Sequence, residues 1–504
     1  MNFANELDRV ARNDPESLAV ADPNRGVTFA ELAAETDRFA NALADLGVAP
    51  GDRVALYLPN SVAFVAAHLG AMKRGAIPFP INMRFEGNEV EYVLQDAGAV
   101  AAVTVGGFED AIGDLDAGLD HLVVAGGSRG HDYRDLVGSA DDEWEVHPRK
   151  YDETAELVYT SGTTGRPKGV EHTHRNLHAN AQGLVRYLGW SDEVVGLTVA
   201  PMFHVSGLNI TTTPLLYTGA ENHVLPAWDA EDALALIERE GITDTFFIPT
   251  MLIDLLNRGV EDYDVSSMER IIVGGAPMPR EQIAATEAAF DCTLLEGYGM
   301  TETTPLAAIN TPGQDVYKPG SIGPPASEVV DVRIEDPETG EEVGTNEKGE
   351  LLWHGDTVTP GYFGMPEKNE AAFVTREGKT WLRSGDVGRI DGDGHLFVED
   401  RLDDMIISGG ENVYPAEVED ALYELDGVVA VGVVGLPHDR LGEQVTAFVV
   451  RADDGLTEDE LEDHCRGRLT DYKIPRRVEF VEDLPRTSTQ KIDKVALRER
   501  LIGE

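Results

Sequence analysis

The sequence predicts an α/β protein. A large N-terminal domain of mostly parallel sheets with helices carries a small β-rich subdomain, and a small α+β domain follows it. Three observations lead there. The chain has 504 residues, too many for one core at ~100–200 residues per domain. Short apolar runs alternate with stretches of helical spacing as far as Pro325, the pattern of parallel sheets covered by helices. Beyond it the texture becomes strand-rich, and beyond Arg401 it becomes mixed. In order, Arg53–Leu58 reads as a buried strand, Ser61–Arg74 as a helix and Ala76–Ile81 as a second strand. Val194–Ala200, a helix and Asn222–Leu225 repeat the unit. Asp244–Ile248, Arg270–Val273 and Thr293–Leu295 continue it, with helices between. Val330–Ile334 and Glu350–Trp353 are short strands split by acidic, Gly-rich turns, which suggests a β-rich subdomain over about 325–400. The expected domains are 1–402 and 403–504. In the second, Pro415 opens a helix, Val428–Val434 and Gln444–Val450 are strands, and Glu458–Leu469 is an amphipathic helix. No solenoid repeat or low-complexity stretch interrupts this order.

With 42% hydrophobic residues the composition is that of a globular chain. The 41 basic residues face 91 acidic ones, for a net charge of −50. That excludes nucleic-acid binding by a general basic surface. The acid is spread over the whole chain, as expected of a protein working in molar salt, where the Debye length is ~3 Å. A halophilic cytoplasm is the expected setting. No run approaches the ~20 apolar residues of a membrane helix, so no membrane span is expected. The start, Met1-Asn2-Phe3-Ala4-Asn5-Glu6, lacks a basic region followed by an apolar core, so no secretory signal is expected. Cys292 and Cys465 cannot form a disulfide framework and show no metal-ligand spacing. The sequence is compatible with a homodimer.

The most informative segment is the loop from Tyr159 to Val170, which follows the apolar run Ala155–Tyr159. Thr160, Ser161, Thr163 and Thr164 supply four hydroxyls. Gly162, Gly165 and Gly169 let backbone approach a ligand closely, and Lys168 adds a cation. Such a loop can wrap phosphate oxygens. It is not the P-loop of NTPases, in which Gly-Lys-Ser/Thr opens a helix, because Pro167 precedes Lys168 and Gly169 follows it.

This loop closely resembles the signature of the adenylate-forming (ANL) superfamily, which includes acyl-CoA synthetases, luciferases and peptide-synthetase adenylation domains. Further segments resemble the family's motifs in its order, from about 155 to 494. Gly274-Gly275-Ala276-Pro277-Met278-Pro279 resembles the adenine-binding turn. Glu296-Gly297-Tyr298-Gly299-Met300-Thr301-Glu302-Thr303 resembles the segment that stacks on adenine, holds a phosphate through Thr301 and helps bind Mg²⁺ through Glu302. Ser384-Gly385-Asp386 resembles the site whose carboxylate takes the ribose hydroxyls, and the resemblance gives Arg401 a ribose contact too. Arg401 to Pro415 resembles the hinge and the stretch after it, with Asp403 at the hinge position. Ser408-Gly409-Gly410 would line the pantetheine channel. Pro485 to Ile492 resembles the motif of the catalytic lysine, here Lys491; the residue before it, commonly Gly, is Gln490. The family places His204, in Pro201-Met202-Phe203-His204-Val205-Ser206-Gly207, beside the substrate carboxylate.

The chemistry agrees with the resemblance. A carboxylate is a poor acyl donor, and transfer to AMP with loss of pyrophosphate activates it. Positioning and charge stabilisation dominate such a step. It needs a cation at the α-phosphate (Lys491), a carboxylate for the metal (Glu302), hydroxyls for the outer phosphates (Thr160 to Lys168) and a carboxylate on the ribose (Asp386). Mg²⁺ prefers one or two protein oxygens plus phosphates, so Thr160 and Glu302 suffice. Two half-reactions then need two surroundings, which a small hinged domain can present in turn.

The implied enzyme is an ATP- and Mg²⁺-dependent acyl-CoA synthetase of the fatty-acid–CoA ligase type. Coenzyme A is the expected acceptor, because Phe203–Gly207 lacks the aspartate of an amino-acid site and the chain ends soon after Lys494. The expected pocket, around His204–Leu208, Phe246–Thr250, Gly274–Ala276 and Tyr298–Leu306, is neutral and fairly apolar. Small residues (Gly207, Gly275, Gly299, Ala307) are expected to leave room for more than acetate. Thr301 to Leu306 holds no tryptophan of the kind that caps acetyl-CoA synthetase pockets. A medium- to long-chain fatty acid is the first expectation, and an aryl acid such as a benzoate the second. A luciferase-type oxygenase and a non-catalytic nucleotide sensor are the remaining alternatives; a sensor is expected to lose Lys491 or Glu302, and both are present.

Overall fold

A computed structural model describes residues 1–113, 115, 117–160, 166–276, 278, 280–314, 317–438, 440–452, 455–486 and 492–502. The fold is of the predicted α/β class, with a large N-terminal and a small C-terminal part. The described chain forms two compact units, Met1–Val332 with Trp353–Leu382, and Arg333–Leu352 with Arg383–Glu504.

The first unit holds two largely parallel sheets. In the eight-stranded one the order is 308–309, 293–298, 270–273, 244–247, 195–198, 221–224, 18–22 and 25–28. Its six inner strands run parallel and only the two edge strands are antiparallel. The five-stranded sheet, 77–80, 53–57, 99–105, 121–125 and 131–132, is parallel throughout. Both faces of such sheets are covered, so the strands read as nearly continuous apolar runs. Val54, Ala55, Leu56 and Tyr57 are all buried. The connecting helices start and stop where local chemistry dictates. The Ser61 hydroxyl accepts from the Phe64 amide at the start of Val62–Arg74, and Gly75 ends that helix at φ 81°. A third element, the antiparallel hairpin of Thr154–Thr160 and Lys168–Thr173, pairs Thr160 with Lys168.

Two expectations about elements of the first unit need correction. The strand beginning at Thr293 runs on to Tyr298. The helix between Val195–Thr198 and Glu221–Val224 opens with a π-helical turn, Ser206–Thr212, before it becomes α-helical over Thr213–Thr218.

In the second unit, strands 411–413, 406–408, 442–451 and 428–438 form an antiparallel sheet, and 477–480 adds in parallel beside 442–451. Helix Pro415–Tyr423 packs Val418 and Leu422 into its core. Helix Glu458–Arg466 stops short of the expected Leu469, because Gly467 takes the cap position. Both cysteines are free thiols, Cys465 buried and Cys292 half-buried. Among the described residues no helix is long and apolar enough to cross a membrane.

Candidate active site

In open α/β sheets a ligand site lies outside the carboxyl ends of the parallel strands. Two of the predicted segments meet there in the first unit. Gly274, Gly275 and Ala276 leave strand Arg270–Val273, and Glu296 to Gly299 end the neighbouring strand, with Val273 paired to Glu296. The two ends touch through backbone: a Cβ at Gly274 would stand 2.8 Å from the Gly297 carbonyl oxygen. Gly275 has φ 86°, which favours glycine, and Gly275 and Ala276 are exposed. Tyr298 stacks on the fully buried Trp353 at 5.7 Å between ring centroids.

The chain then folds back through a 3₁₀ turn, Thr301–Thr303. The Thr303 hydroxyl donates to the Pro305 carbonyl (2.7 Å). Thr301 and Glu302 are buried. The Thr301 carbonyl accepts from His172 Nε2 at 2.7 Å. The Tyr362 hydroxyl donates to Glu302 Oε1 at 2.8 Å, and the Glu302 carbonyl accepts from the Thr359 amide. Tyr362 also bridges the hairpin at Val170. The hairpin carrying Thr160 and Lys168, the metal-candidate turn and the segment around Tyr362 therefore form one braced structure.

Glu296, expected among the nucleotide-binding residues, is buried beside this segment. Its Oε2 accepts from the Gly320 amide at 2.9 Å. Burial pushes its carboxyl up to about 7, against the opposing pull of that bond and of Arg280. His204 Nδ1 accepts from the Ser206 amide at 3.2 Å and lies 2.8 Å from its hydroxyl, which places the ring proton on Nε2. Gly207 and Gly299 do not leave the expected room. A Cβ at Gly207 would run into the Ala200 and Pro201 carbonyls, and one at Gly299 into the Pro305 carbonyl. Both glycines permit close backbone packing.

The second unit holds its own cluster. Arg401 Nη1 donates to Asp386 Oδ1 (2.9 Å) and to the Ser384 carbonyl (3.1 Å). The Asp386 amide donates to the Ser384 hydroxyl (2.9 Å). Asp403 is exposed in the 3₁₀ turn Leu402–Asp404. Ser408 is buried and pairs with Gly442, and Gly409 and Gly410 follow at φ 65° and 90°. Ser161, Gly162, Thr163, Thr164, Gly165, Pro277, Gln490 and Lys491 lie outside the described residues.

Sequence reasoning missed Tyr362, His172 and Glu156, whose Oε1 lies 2.9 Å from His172 Nδ1. For Glu156 a signal existed: it is the one charge within Ala155–Tyr159, an otherwise apolar run. Nothing in the sequence around Tyr362 pointed to Glu302.

Comparison with known proteins shows the family. The family model described as AMP-binding enzyme matches residues 7–363, and that of the AMP-binding enzyme C-terminal domain matches 417–491. A feruloyl-CoA synthase of Amycolatopsis sp. is 38% identical over 494 residues, 98% of this chain and 97% of the relative. The long-chain-fatty-acid–CoA ligase FadD13 of Mycobacterium tuberculosis is 35% identical, covering 96% of each chain. The ATP-bound crystal structure of MatB from Rhodopseudomonas palustris superposes with a TM-score of 0.91 at 33% identity, covering 99% of both chains.

Proposed function

The chain belongs to the AMP-binding enzyme family, and from that premise we propose the reaction, the residues that carry it and the acid it takes. It is an AMP-forming acid–thiol ligase that uses ATP and coenzyme A. The observation that carries the detailed reading is the braced turn Thr301–Glu302, anchored to the hydroxyl- and lysine-bearing hairpin.

The acid carboxylate attacks the α-phosphate of ATP, pyrophosphate leaves, and the thiol of coenzyme A then takes the acyl group and releases AMP. Thr160 to Lys168 and Thr301 hold phosphates, and Lys491 stabilises charge on the α-phosphate. Gly275, Ala276, Pro277 and the Glu296–Gly299 segment form the adenine side, and Asp386 with Arg401 takes the ribose. His204 faces the acid carboxylate. Thr160 and the buried Glu302, one of whose oxygens accepts from the Tyr362 hydroxyl, would hold magnesium, an ion that needs only one or two protein oxygens beside phosphate. When bound, magnesium supplies neutralisation of phosphate charge. Tyr362 fixes one Glu302 oxygen and so aims the other. Residues 403–504 act as the mobile domain, with Asp403 as hinge and Ser408-Gly409-Gly410 along the thiol channel. The enzyme works in a salt-rich cytoplasm.

For the acid, the largely apolar pocket segments and the relative named for long-chain fatty acids support a medium- to long-chain fatty acid. An aryl acid is the second reading. It is supported by the feruloyl-CoA synthase relative at 38% identity.

The test is pyrophosphate release from ATP in 2 M KCl across fatty, aryl and dicarboxylic acids, with and without coenzyme A. Acid-dependent release with AMP and thioester formation supports the assignment. In the same assay, Lys491→Ala should lose acyl-AMP synthesis while transfer from preformed acyl-AMP survives. Equal loss of both half-reactions would remove Lys491 from its role.

A further inference from the structure

The centre of the first unit contains a charged group that the proposed chemistry does not use. Glu156, in the hairpin strand Thr154–Thr160, has no exposed surface. Its Oε2 accepts from His68 Nε2 (2.8 Å), on helix Val62–Arg74. Its Oε1 accepts from His172 Nδ1 (2.9 Å), on the other hairpin strand, and from Asn209 Nδ2 (3.0 Å), in the π-helix. His68, His172 and Asn209 are buried as completely.

Proton counting fixes the electrostatics. The second nitrogen of His172, Nε2, faces the Thr301 carbonyl at 2.7 Å, and a carbonyl only accepts. Both ring nitrogens of His172 therefore meet acceptors, one a carboxylate. His172 and Glu156 together hold one proton more than a neutral imidazole and a carboxylate, a proton that lies along the Nδ1–Oε1 bond. Burial alone would raise the Glu156 carboxyl, but the bonds from His172 and His68 bring it well below the usual carboxylate range. The bond to Thr301 is thereby charge-assisted, and such bonds are roughly twice as strong as neutral ones.

The network also reaches the acid side. The Asn209 carbonyl accepts from Asn180 Nδ2 (2.7 Å), and Asn180 Oδ1 accepts from the Leu306 amide (3.3 Å). The segment from Thr301 to Leu306 is thus held at the Thr301 carbonyl by His172, which bonds Glu156 directly, and at the Leu306 amide by Asn180, which reaches Glu156 only through Asn209.

We propose that Glu156 and His172 are positioning residues for the adenylation step: the pair clamps the Thr301 carbonyl and so sets the direction of Thr301 and Glu302. This rests on the reading that those two residues serve the nucleotide phosphates and magnesium. The geometry further assigns Asn209 as the link that ties this clamp to the π-helix beside His204.

The experiment separates positioning from stability. A buried pair broken on one side leaves an uncompensated charge, whereas removing both charges is often neutral for stability. Three variants are compared in 2 M KCl: Glu156→Gln, His172→Leu, and the double variant Glu156→Gln/His172→Leu, which carries no charge at the site. Thermal melting, pyrophosphate release at saturating ATP and acid, and transfer from preformed acyl-AMP to coenzyme A are measured for each. Misplacement of a reacting group by about 1 Å costs about 10²-fold. The expected result is therefore a loss of about 10- to 100-fold in adenylation kcat for all three variants, with transfer nearly unchanged. The double variant should melt higher than His172→Leu without regaining adenylation. Recovery of both melting temperature and adenylation in the double variant overturns the proposal and leaves the pair a structural element. So does equal loss of both half-reactions, or a double variant that cannot fold. If the unmodified enzyme releases no pyrophosphate with any acid, the reading of the site fails instead.

Discussion

Replacing Glu296 by glutamine should make the protein more stable, and more so as pH rises. Glu296 is 8% exposed, and its carboxyl titrates at about 7 because burial penalises the charged form more than the Gly320 amide and Arg280 favour it. In the unfolded chain the same group titrates near 4.5. Below pH ~4.5 both states are protonated and the group contributes nothing to a stability difference. Between about 4.5 and 7 the unfolded chain has lost its proton while the folded one retains it, so stability falls as pH rises. Above about 7 both are ionised, and the folded state carries the full cost of a buried carboxylate. A rise of that size corresponds to about 3 kcal/mol; penetration of water would leave about 1–3 kcal/mol. Glutamine keeps an oxygen for the Gly320 amide and has no charge to bury. Urea or thermal unfolding of both proteins from pH 4.5 to 8.5, at fixed 2 M KCl, gives the difference directly, since the other titrating groups are common to both. The gap should be near zero at pH 4.5, open through pH 7 and then level. A gap that is flat across this range, or that favours the glutamate at pH 8, refutes the assignment of a raised carboxyl.

The remaining predictions concern packing, hinge and salt. Gly299→Ala places a Cβ on the Pro305 carbonyl and should cost about 1–3 kcal/mol of stability, together with most of the adenylation rate. Gly138→Ala, inside helix Tyr133–Ser139 where the Cβ meets nothing within 4 Å, should leave the adenylation rate unchanged and raise stability by about 0.4–1 kcal/mol. Asp403→Pro fixes φ near −65° at the proposed hinge; adenylation should persist and thioester formation should fail, and two normal rates would move the hinge elsewhere. With 91 acidic against 41 basic residues, melting temperature and activity should rise together from 0.1 M to above 1 M KCl as surface repulsion is screened. Full stability in dilute buffer would sink the halophilic reading.

Elements with strong local signals are legible in the amino-acid order alone. Arg270–Val273 is a strand with the expected bounds, and Ser61 caps its helix as its hydroxyl implies. Motif segments are legible because glycine, threonine and carboxylate at fixed spacing carry chemistry that composition alone does not. What stays hidden depends on contacts distant in sequence. Tyr362 meets Glu302 across 60 positions and His172 meets Thr301 across 129; neither partner carries a local mark of the other. The expected room at Gly207 and Gly299 fails for the same reason, since the atoms that fill it belong to Ala200, Pro201 and Pro305. The π-helical turn is likewise illegible, because its ladder differs from an α-helix by one residue and the apolar spacing absorbs the difference.

That extra residue has an evolutionary consequence. Ser206–Thr212 bonds in a wider ladder, with the Thr211 and Thr212 hydroxyls both donating to the Gly207 carbonyl. Deleting one residue there lets the backbone relax to ordinary α-helical bonding, so the main chain loses little. Every side chain upstream of the deletion, however, turns by about 100° relative to those downstream. A single codon lost or gained can therefore exchange the whole set of side chains presented near His204, where point substitutions could change only one at a time. Libraries that vary the length of this turn sample side-chain arrangements that libraries varying only its residue identities cannot reach.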